Sequence, residues 1–359
     1  MDFIIEKDKY NLWRYARLYD PYIHPSCQLT LEEGWTKELE IRPLTEALGL
    51  NHLWFKREDL NPTGSHKARS LAYQVSKYYQ EGKNPLVISS SGNAAISAAA
   101  YCRLAGIKIL VFISPLTPRL KVDQLGLFEA VIVSTPKPIN MARYTARHFN
   151  LVNLRPSVDD ASIEGFKSIA FEIYEKGLDP EAVFVFPTSG SSLLGIGRGF
   201  IDLKEKYGQI GKLPQIHAVQ SGKVASVVKE FVKDGREEEE TLAGCLGVKN
   251  TPRKEEIVKM IRLTKGQGWW VSSEEILKAS SLLSHYGINT SAEGAANFAG
   301  VIKATSQRKL KKVLCLLTGH YSQWERKRKD RVTFYEVEHY RQVKELVTTQ
   351  VERLKAEGY

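Results

Sequence analysis

The chain has 359 residues, 43% of them hydrophobic and 26% charged, an ordinary composition for a globular protein of one large or two medium domains. The formal net charge is +10, but much of the excess sits in the run WERKRKDR (324–331) and in lysines scattered on helix faces. No recognition-helix, RNA-binding or zinc-finger pattern accompanies that charge, so no nucleic-acid partner is expected. Cys27, Cys102, Cys245 and Cys315 lie far apart with no C-x-x-C pair, which argues against a zinc site or a disulfide framework. The N-terminal MDFIIEKDKY lacks the long apolar run of a secretory signal, and no stretch reaches membrane-spanning length. The expectation is a cytoplasmic protein with no membrane partner and no metal.

In chain order, HLWFKRE (52–58) reads as a strand and 65–81 as a helix started by Ser65. PLVISS (85–90) is a second strand, followed by an alanine-rich helix from about Asn93 to Leu104. IKILVFIS (107–114) and AVIVS (130–134) are strands, with a helix from about Asn140. AVFVFP (182–187), QIHAVQ (215–220) and KVLCLLT (312–318) are further strands separated by helical patterns, and 335–356 reads as an amphipathic helix. Strands alternating with helices specify an α/β protein with parallel sheets covered on both faces.

In such sheets ligands bind at the carboxyl ends of strands, so the strand-to-helix turns carry the chemistry. Four are unusual. In NPTGSHKARS (61–70), Lys67 falls in the first turn of its helix, where the positive end of the helix dipole disfavours an ammonium. Shielded from water, that amine would have a lowered pKa, as a Schiff-base lysine needs; the plainer reading is a surface lysine after a cap. SSSGNAA (89–95) gathers three serines and Asn93 at a helix start, more than one cap requires, where free N–H groups attract carboxylates or phosphates. PTSGSSLLGIGRG (187–199) has the composition of a phosphate cradle without the Walker ending, although small residues at such turns often serve only close packing. LCLLTGH (314–320) ends a buried strand at Thr318, where a lone threonine is usually a cap or turn former. Together an imine-forming lysine, an anion cradle, a carboxylate loop and an inward hydroxyl make a kit for pyridoxal phosphate and an amino acid.

At these motifs the sequence resembles the pyridoxal-phosphate-dependent enzymes built on the tryptophan synthase β-subunit fold (fold type II), and within them it is most similar to the threonine synthases. LEEGWT (31–36), KREDLNPTGSHKAR (56–69), SSSGNAAISAAAYCRLAG (89–106), VQSGKVASVVKEF (219–231) and LLTGH (316–320) carry the resemblance in order. It implies that Lys67 holds the cofactor as an imine and that Asn93 bonds its ring hydroxyl. Ser90, Ser91, Gly92 and Ala94 would line the loop for the substrate carboxylate. Gly190, Ser191, Ser192 and Leu193 would offer N–H groups to the cofactor phosphate, and Thr318 would meet the pyridine nitrogen. A neutral hydroxyl there, in place of a carboxylate, suits elimination and replacement more than transamination.

The resemblance also implies two domains, a large one of 1–79 and 172–359 and a smaller mobile one of 80–171, a homodimer, and a small-molecule amino-acid substrate. The activity implied is that of a lyase or synthase most like threonine synthase, which takes O-phosphohomoserine to threonine. Departures keep two alternatives open: a serine/threonine dehydratase-like or cysteine synthase-like enzyme, and a non-catalytic relative. His66 and Ala68 flank the lysine where threonine synthases usually have Phe and Asp. In LVNLRPSVDDASIEGFKS (151–168), Leu154 and Ser162 stand where a Ser and an Arg grip the substrate phosphate. Arg155 and Lys167 remain as the charges that would replace them.

Overall fold

The structure, a computed structural model, describes residues 2–222, 225–232, 241–243, 251–320 and 334–356. The basic run 324–331, Cys245, and Lys223 and Val224 of the 219–231 motif lie outside the described residues. The chain divides into two compact units: 1–20, 32–69 and 163–322 in the first, and 21–31, 70–162 and 323–359 in the second.

The first unit contains a six-stranded sheet of order β1-β2-β10-β7-β8-β9, from β1 (Glu38–Glu40), β2 (His52–Arg57), β7 (Ala182–Val185), β8 (Gln215–Ser221), β9 (Gly268–Val271) and β10 (Lys312–Leu317). All neighbours are parallel except β1, which runs antiparallel to β2 at one edge. Phe55, Phe184, Val219, Phe298, Val313 and Cys315 are buried in its core. They come from the apolar strands that the sequence marks and from α10 (Ala292–Gln307). The other helices of this unit are α1 (Arg42–Ala47), α7 (Ser191–Ile201), α8 (Lys254–Leu263) and α9 (Ser273–His285).

The second unit contains a five-stranded, all-parallel sheet of order β11-β5-β4-β3-β6, from β3 (Leu86–Ser89), β4 (Ile109–Ile113), β5 (Val131–Ser134), β6 (Val152–Asn153) and β11 (Phe334–Glu336). Its helices are α3 (Asn93–Leu104), α4 (Arg119–Gly126), α5 (Pro138–His148) and α11 (Tyr340–Ala356). Val343 and Val347 of α11 pack with Met141 and Ala142 of α5 and with Val87 and Phe112 of the sheet. The C-terminal segment therefore joins the second unit, where the sequence reading assigned it to the larger domain. The cause is β11, whose pairing with β5 the short stretch FYE does not announce. The helices α2 (Lys67–Gln80) and α6 (Ala161–Glu175) each start in one unit and continue into the other along the chain.

A buried ionic cluster underlies the lysine turn of the first unit. Arg69, fully buried, donates to Glu58 at 2.7 Å and to both carboxylate oxygens of Glu172. Lys56, also fully buried, donates to Glu172 at 2.7 Å, to Glu38 and to the Thr36 carbonyl at 3.0 Å. Such charges are tolerated in a low-dielectric interior because each is paired and its remaining donors are filled. No helix among the described residues is long and apolar enough to cross a membrane, and none of their acidic, histidine or cysteine side chains cluster as a metal site.

Candidate active site

In the first unit, β10 ends at Leu317 and the chain turns at Thr318–His320 beside the start of α2. The two segments are tied by backbone bonds: His66 N–H to the Thr318 carbonyl at 3.0 Å, and His320 N–H to the Gly64 carbonyl at 2.8 Å. Ser65 Oγ accepts the Lys67 N–H at 3.3 Å, so the expected start signal is the one used. This arrangement sets Lys67 and Thr318 at neighbouring turns, as the carboxyl end of a parallel strand predicts.

Lys67 is not a surface lysine. It is only 7% exposed, and its Nζ has no hydrogen-bond partner among the described residues. The amine stands 5.3 Å from the centre of the Phe166 ring. Burial pulls its pKa down to about 8, against a smaller opposing pull from Glu293. A lysine amine without a partner in an apolar setting is partly neutral near physiological pH, which is the form a nucleophile needs.

Thr318 is 3% exposed, and its hydroxyl lies 3.4 Å from Ser291 Oγ. Ser291 caps α10 by accepting the Gly294 N–H at 3.3 Å. Thr318 is therefore neither a helix cap nor a mere turn former but an inward hydroxyl at a strand end.

Gly190 is the cap residue before α7, its φ of +90° is left-handed and suits glycine, and no side chain caps the helix there. A Cβ built there would lie 2.5 Å from Ile257 Cδ1 and 3.3 Å from Arg253 Cβ. Ser191, Ser192 and Leu193, in its first turn, are buried. The later glycines have another purpose. A Cβ at Gly195 would fall 2.4 Å from Phe166 Cβ, and one at Gly199 would fall 2.8 Å from Ala170 Cβ, so these positions admit α6. The same run thus holds one open helix end and one close packing face.

In the second unit the comparable turn follows β3. Its helix α3 starts at Asn93 with Gly92 as cap residue, and no side chain makes the cap bond that the serines would be expected to supply. Ser90 Oγ accepts the Gly92 N–H at 3.2 Å, and Asn93 Oδ1 accepts from Lys121 at 3.3 Å. Ser90, Ser91, Gly92 and Asn93 are partly exposed and Ala94 is buried. Because β3 and β6 are parallel neighbours, with Val87 opposite Asn153, Arg155 leaves the same sheet edge as this turn. Its guanidinium has no hydrogen bond or ion pair among the described residues, and burial with Arg143 nearby lowers its pKa.

Lys167 belongs to the first unit and its amine is engaged by Glu164 at 2.9 Å and Asp202 at 3.0 Å, which hold its pKa up against burial. That pairing competes with the substrate contact expected of it. Leu154 is fully buried, and Ser162 Oγ donates to the Pro156 carbonyl at 2.9 Å. Sequence reasoning passed over Phe166, Ser291 and Glu293, and marked His66 only as a departure from the family pattern. Phe166 and Glu293 carry no local signal, whereas His66 was visible as an odd residue beside the lysine.

The chain matches the family model described as pyridoxal-phosphate dependent enzyme over residues 29–319. It is 31% identical to a threonine synthase of Bacillus sp. (strain ULM1), over 84% of this chain and 87% of that protein. A threonine synthase of Methanosarcina acetivorans is 29% identical over 86% of this chain and 79% of its own length. Among solved structures, a pyridoxal 5'-phosphate-dependent aspartate racemase superposes with a TM-score of 0.69 at 19% identity, covering 81% of this chain and 92% of that one. The processed form of threonine deaminase isoform 2 from Solanum lycopersicum superposes with a TM-score of 0.64 at 18% identity, covering 80% and 84%.

Proposed function

Because the chain belongs to the pyridoxal-phosphate dependent enzymes, we propose that it is a threonine synthase-like lyase that eliminates or replaces a group on the side chain of an amino acid. The observation that carries this reading is Lys67, a buried amine with no hydrogen-bond partner among the described residues and a pKa lowered to about 8.

The residues present fit the cofactor. The orphaned amine supplies its attachment point, and the start of α7, entered through the left-handed Gly190 with no side-chain cap, supplies backbone N–H groups for its phosphate. In this reading Lys67 holds pyridoxal phosphate covalently, the N–H groups of Gly190 to Leu193 take its phosphate, and Thr318 and Asn93 bond its ring. When bound, the cofactor supplies an electron sink that acidifies the substrate's α-carbon. Lys67 Nζ would accept the substrate's α-proton, a task that its low pKa favours near neutral pH. The neutral Thr318 hydroxyl brings no charge to the strand end, which would suit loss of a side-chain leaving group. Ser90, Ser91, Gly92 and Ala94 orient the substrate carboxylate at the uncapped start of α3.

Arg155 is the cation we assign to a leaving-group anion, since its charge has no acidic partner among the described residues. A dehydratase-like reading is the second choice. It is favoured by Leu154, Ser162 and Lys167, all of which are engaged internally where a phosphorylated substrate would want donors. A cytoplasmic homodimer belongs to the same proposal, and light scattering tests the dimer. The deciding assay offers O-phosphohomoserine, serine, threonine, O-acetylserine and O-phosphoserine, and measures phosphate, keto acid and new amino acid. Threonine and phosphate from O-phosphohomoserine, lost in Arg155→Ala, support the first reading. Keto acid from serine or threonine, with no phosphate released, replaces it by the second.

A further inference from the structure

His66 precedes Lys67 and is 6% exposed. Its Nδ1 lies 2.8 Å from the Thr318 carbonyl oxygen, the same atom that accepts its backbone N–H. A carbonyl oxygen only accepts, so the ring proton sits on Nδ1. Burial and the neighbouring Lys67 hold the imidazole's pKa down to about 3, so at neutral pH the ring carries that single proton. Nε2 is then a bare acceptor, and it has no partner among the described residues. The other ties between the two turns, the Ser65–Gly319 bridge and the His320 N–H bond to Gly64, are made by backbone and are indifferent to side chain. The His66 ring also packs on Phe166, with ring centres 5.3 Å apart, and the Lys67 amine stands over that same ring. The side chain thus has two separable interactions, one hydrogen bond and one ring contact.

We propose that His66 is a positioning residue whose Nδ1–H bond to the Thr318 carbonyl clamps the lysine turn to the strand-end turn. The clamp fixes where the Lys67 amine stands relative to the Thr318 hydroxyl. A phenylalanine, the residue of the threonine synthase pattern, cannot make it, so the device belongs to this chain's own sequence. The proposal rests on the cofactor reading for its first readout but not for its second.

The first readout is the rate at which reconstituted protein loses pyridoxal phosphate, followed by absorbance. His66→Phe keeps a ring for Phe166 and loses the donor; His66→Asn keeps an N–H in the place of Nδ1 and loses the ring. One hydrogen bond of ordinary strength sets the expectation: roughly ten-fold faster loss in His66→Phe, and within about three-fold of wild type in His66→Asn. The reverse order, or equal effects, overturns the proposal, because ring packing or bulk would then do the holding. Circular dichroism of both variants checks that they fold. The second readout is the nitrogen-15 spectrum of the cofactor-free wild-type chain. It should show His66 protonated at Nδ1 and bare at Nε2 through neutral pH. A ring protonated at Nε2 overturns the clamp whether or not the cofactor binds, while wild type that captures no cofactor but shows this tautomer counts against the cofactor reading alone.

Discussion

Replacing Glu172 by glutamine should destabilise the protein far more than an ion-pair loss at the surface. The carboxylate is fully buried and accepts from Lys56 Nζ at 2.7 Å, from Arg69 Nη2 at 2.9 Å and Nη1, and from the Trp35 N–H at 2.7 Å. The surrounding cluster balances three cations, Lys56, Arg69 and Lys176, against three carboxylates, Glu38, Glu58 and Glu172. Glutamine keeps the shape but removes one negative charge, leaving a net positive charge in a low-dielectric interior. Breaking one partner of a buried pair costs about 3–5 kcal/mol, whereas exposed pairs are worth about 0–1 kcal/mol. Glutamine still accepts with its carbonyl, which places the expectation near ~3 kcal/mol. The assay is urea denaturation followed by circular dichroism, wild type against Glu172→Gln, at pH 7 and again down to pH 3. The pH series has a definite sign. Arg69 and Lys56 hold Glu172 below its ordinary value, and Arg69 does the same to Glu58 against the cost of burial. Carboxylates with depressed pKa stabilise the fold above the unfolded value of about 4.3, and that stability is lost as pH falls toward the folded value. Wild type should therefore weaken progressively below about pH 4.3, and Glu172→Gln should show a shallower slope there. A loss below about 1 kcal/mol at pH 7, or an unchanged acid slope, would refute the reasoning, since the cluster would then behave as a solvated surface network.

Lys67→Met should stabilise the cofactor-free protein at neutral pH. The amine's pKa falls from 10.5 to about 8, and a shift of that size corresponds to about 3 kcal/mol against the charged form. The unfolded chain binds the extra proton between those values, so wild-type stability rises from about pH 8 to 10.5 and the variant's advantage shrinks over that window; a denaturation series in pH checks it, and an advantage independent of pH counts against the shift. Gly190→Ala should reduce stability by about 1–2 kcal/mol through the left-handed backbone. It should also speed cofactor loss, because the new Cβ meets Ile257 and Arg253; retention equal to wild type would mean that the end of α7 does not hold the phosphate.

Much of this architecture was legible because the core strands are mostly apolar runs. His52–Arg57, Leu86–Ser89, Ile109–Ile113 and Lys312–Leu317 all fall inside the stretches marked from sequence, trimmed by a residue or two where turns begin. The short edge elements were not. Glu38–Glu40, Val152–Asn153 and Phe334–Glu336 owe their extended form to a neighbouring strand, and nothing in two or three residues encodes that neighbour. The candidate site divides along the same line. Lys67, Gly190 and Thr318 announce themselves by residue type at strand-to-helix turns. Phe166, Ser291 and Glu293 reach the lysine and threonine only through tertiary packing. The glycines of 195–199 read equally as cradle and as packing surface, and only the proximity of Phe166 and Ala170 separates those uses. Lys56 was visible as a charge in an apolar strand, but its partner Glu172 lies 116 residues away.

The most direct test of the central claim is to reconstitute the purified protein with pyridoxal phosphate, reduce it with borohydride and map the modified peptide by mass spectrometry. The account predicts a yellow protein whose visible absorbance is lost on reduction, with the cofactor's mass fixed on Lys67 and absent from Lys67→Ala. A colourless protein, or a label carried by another lysine while Lys67 stays unmodified, would contradict it.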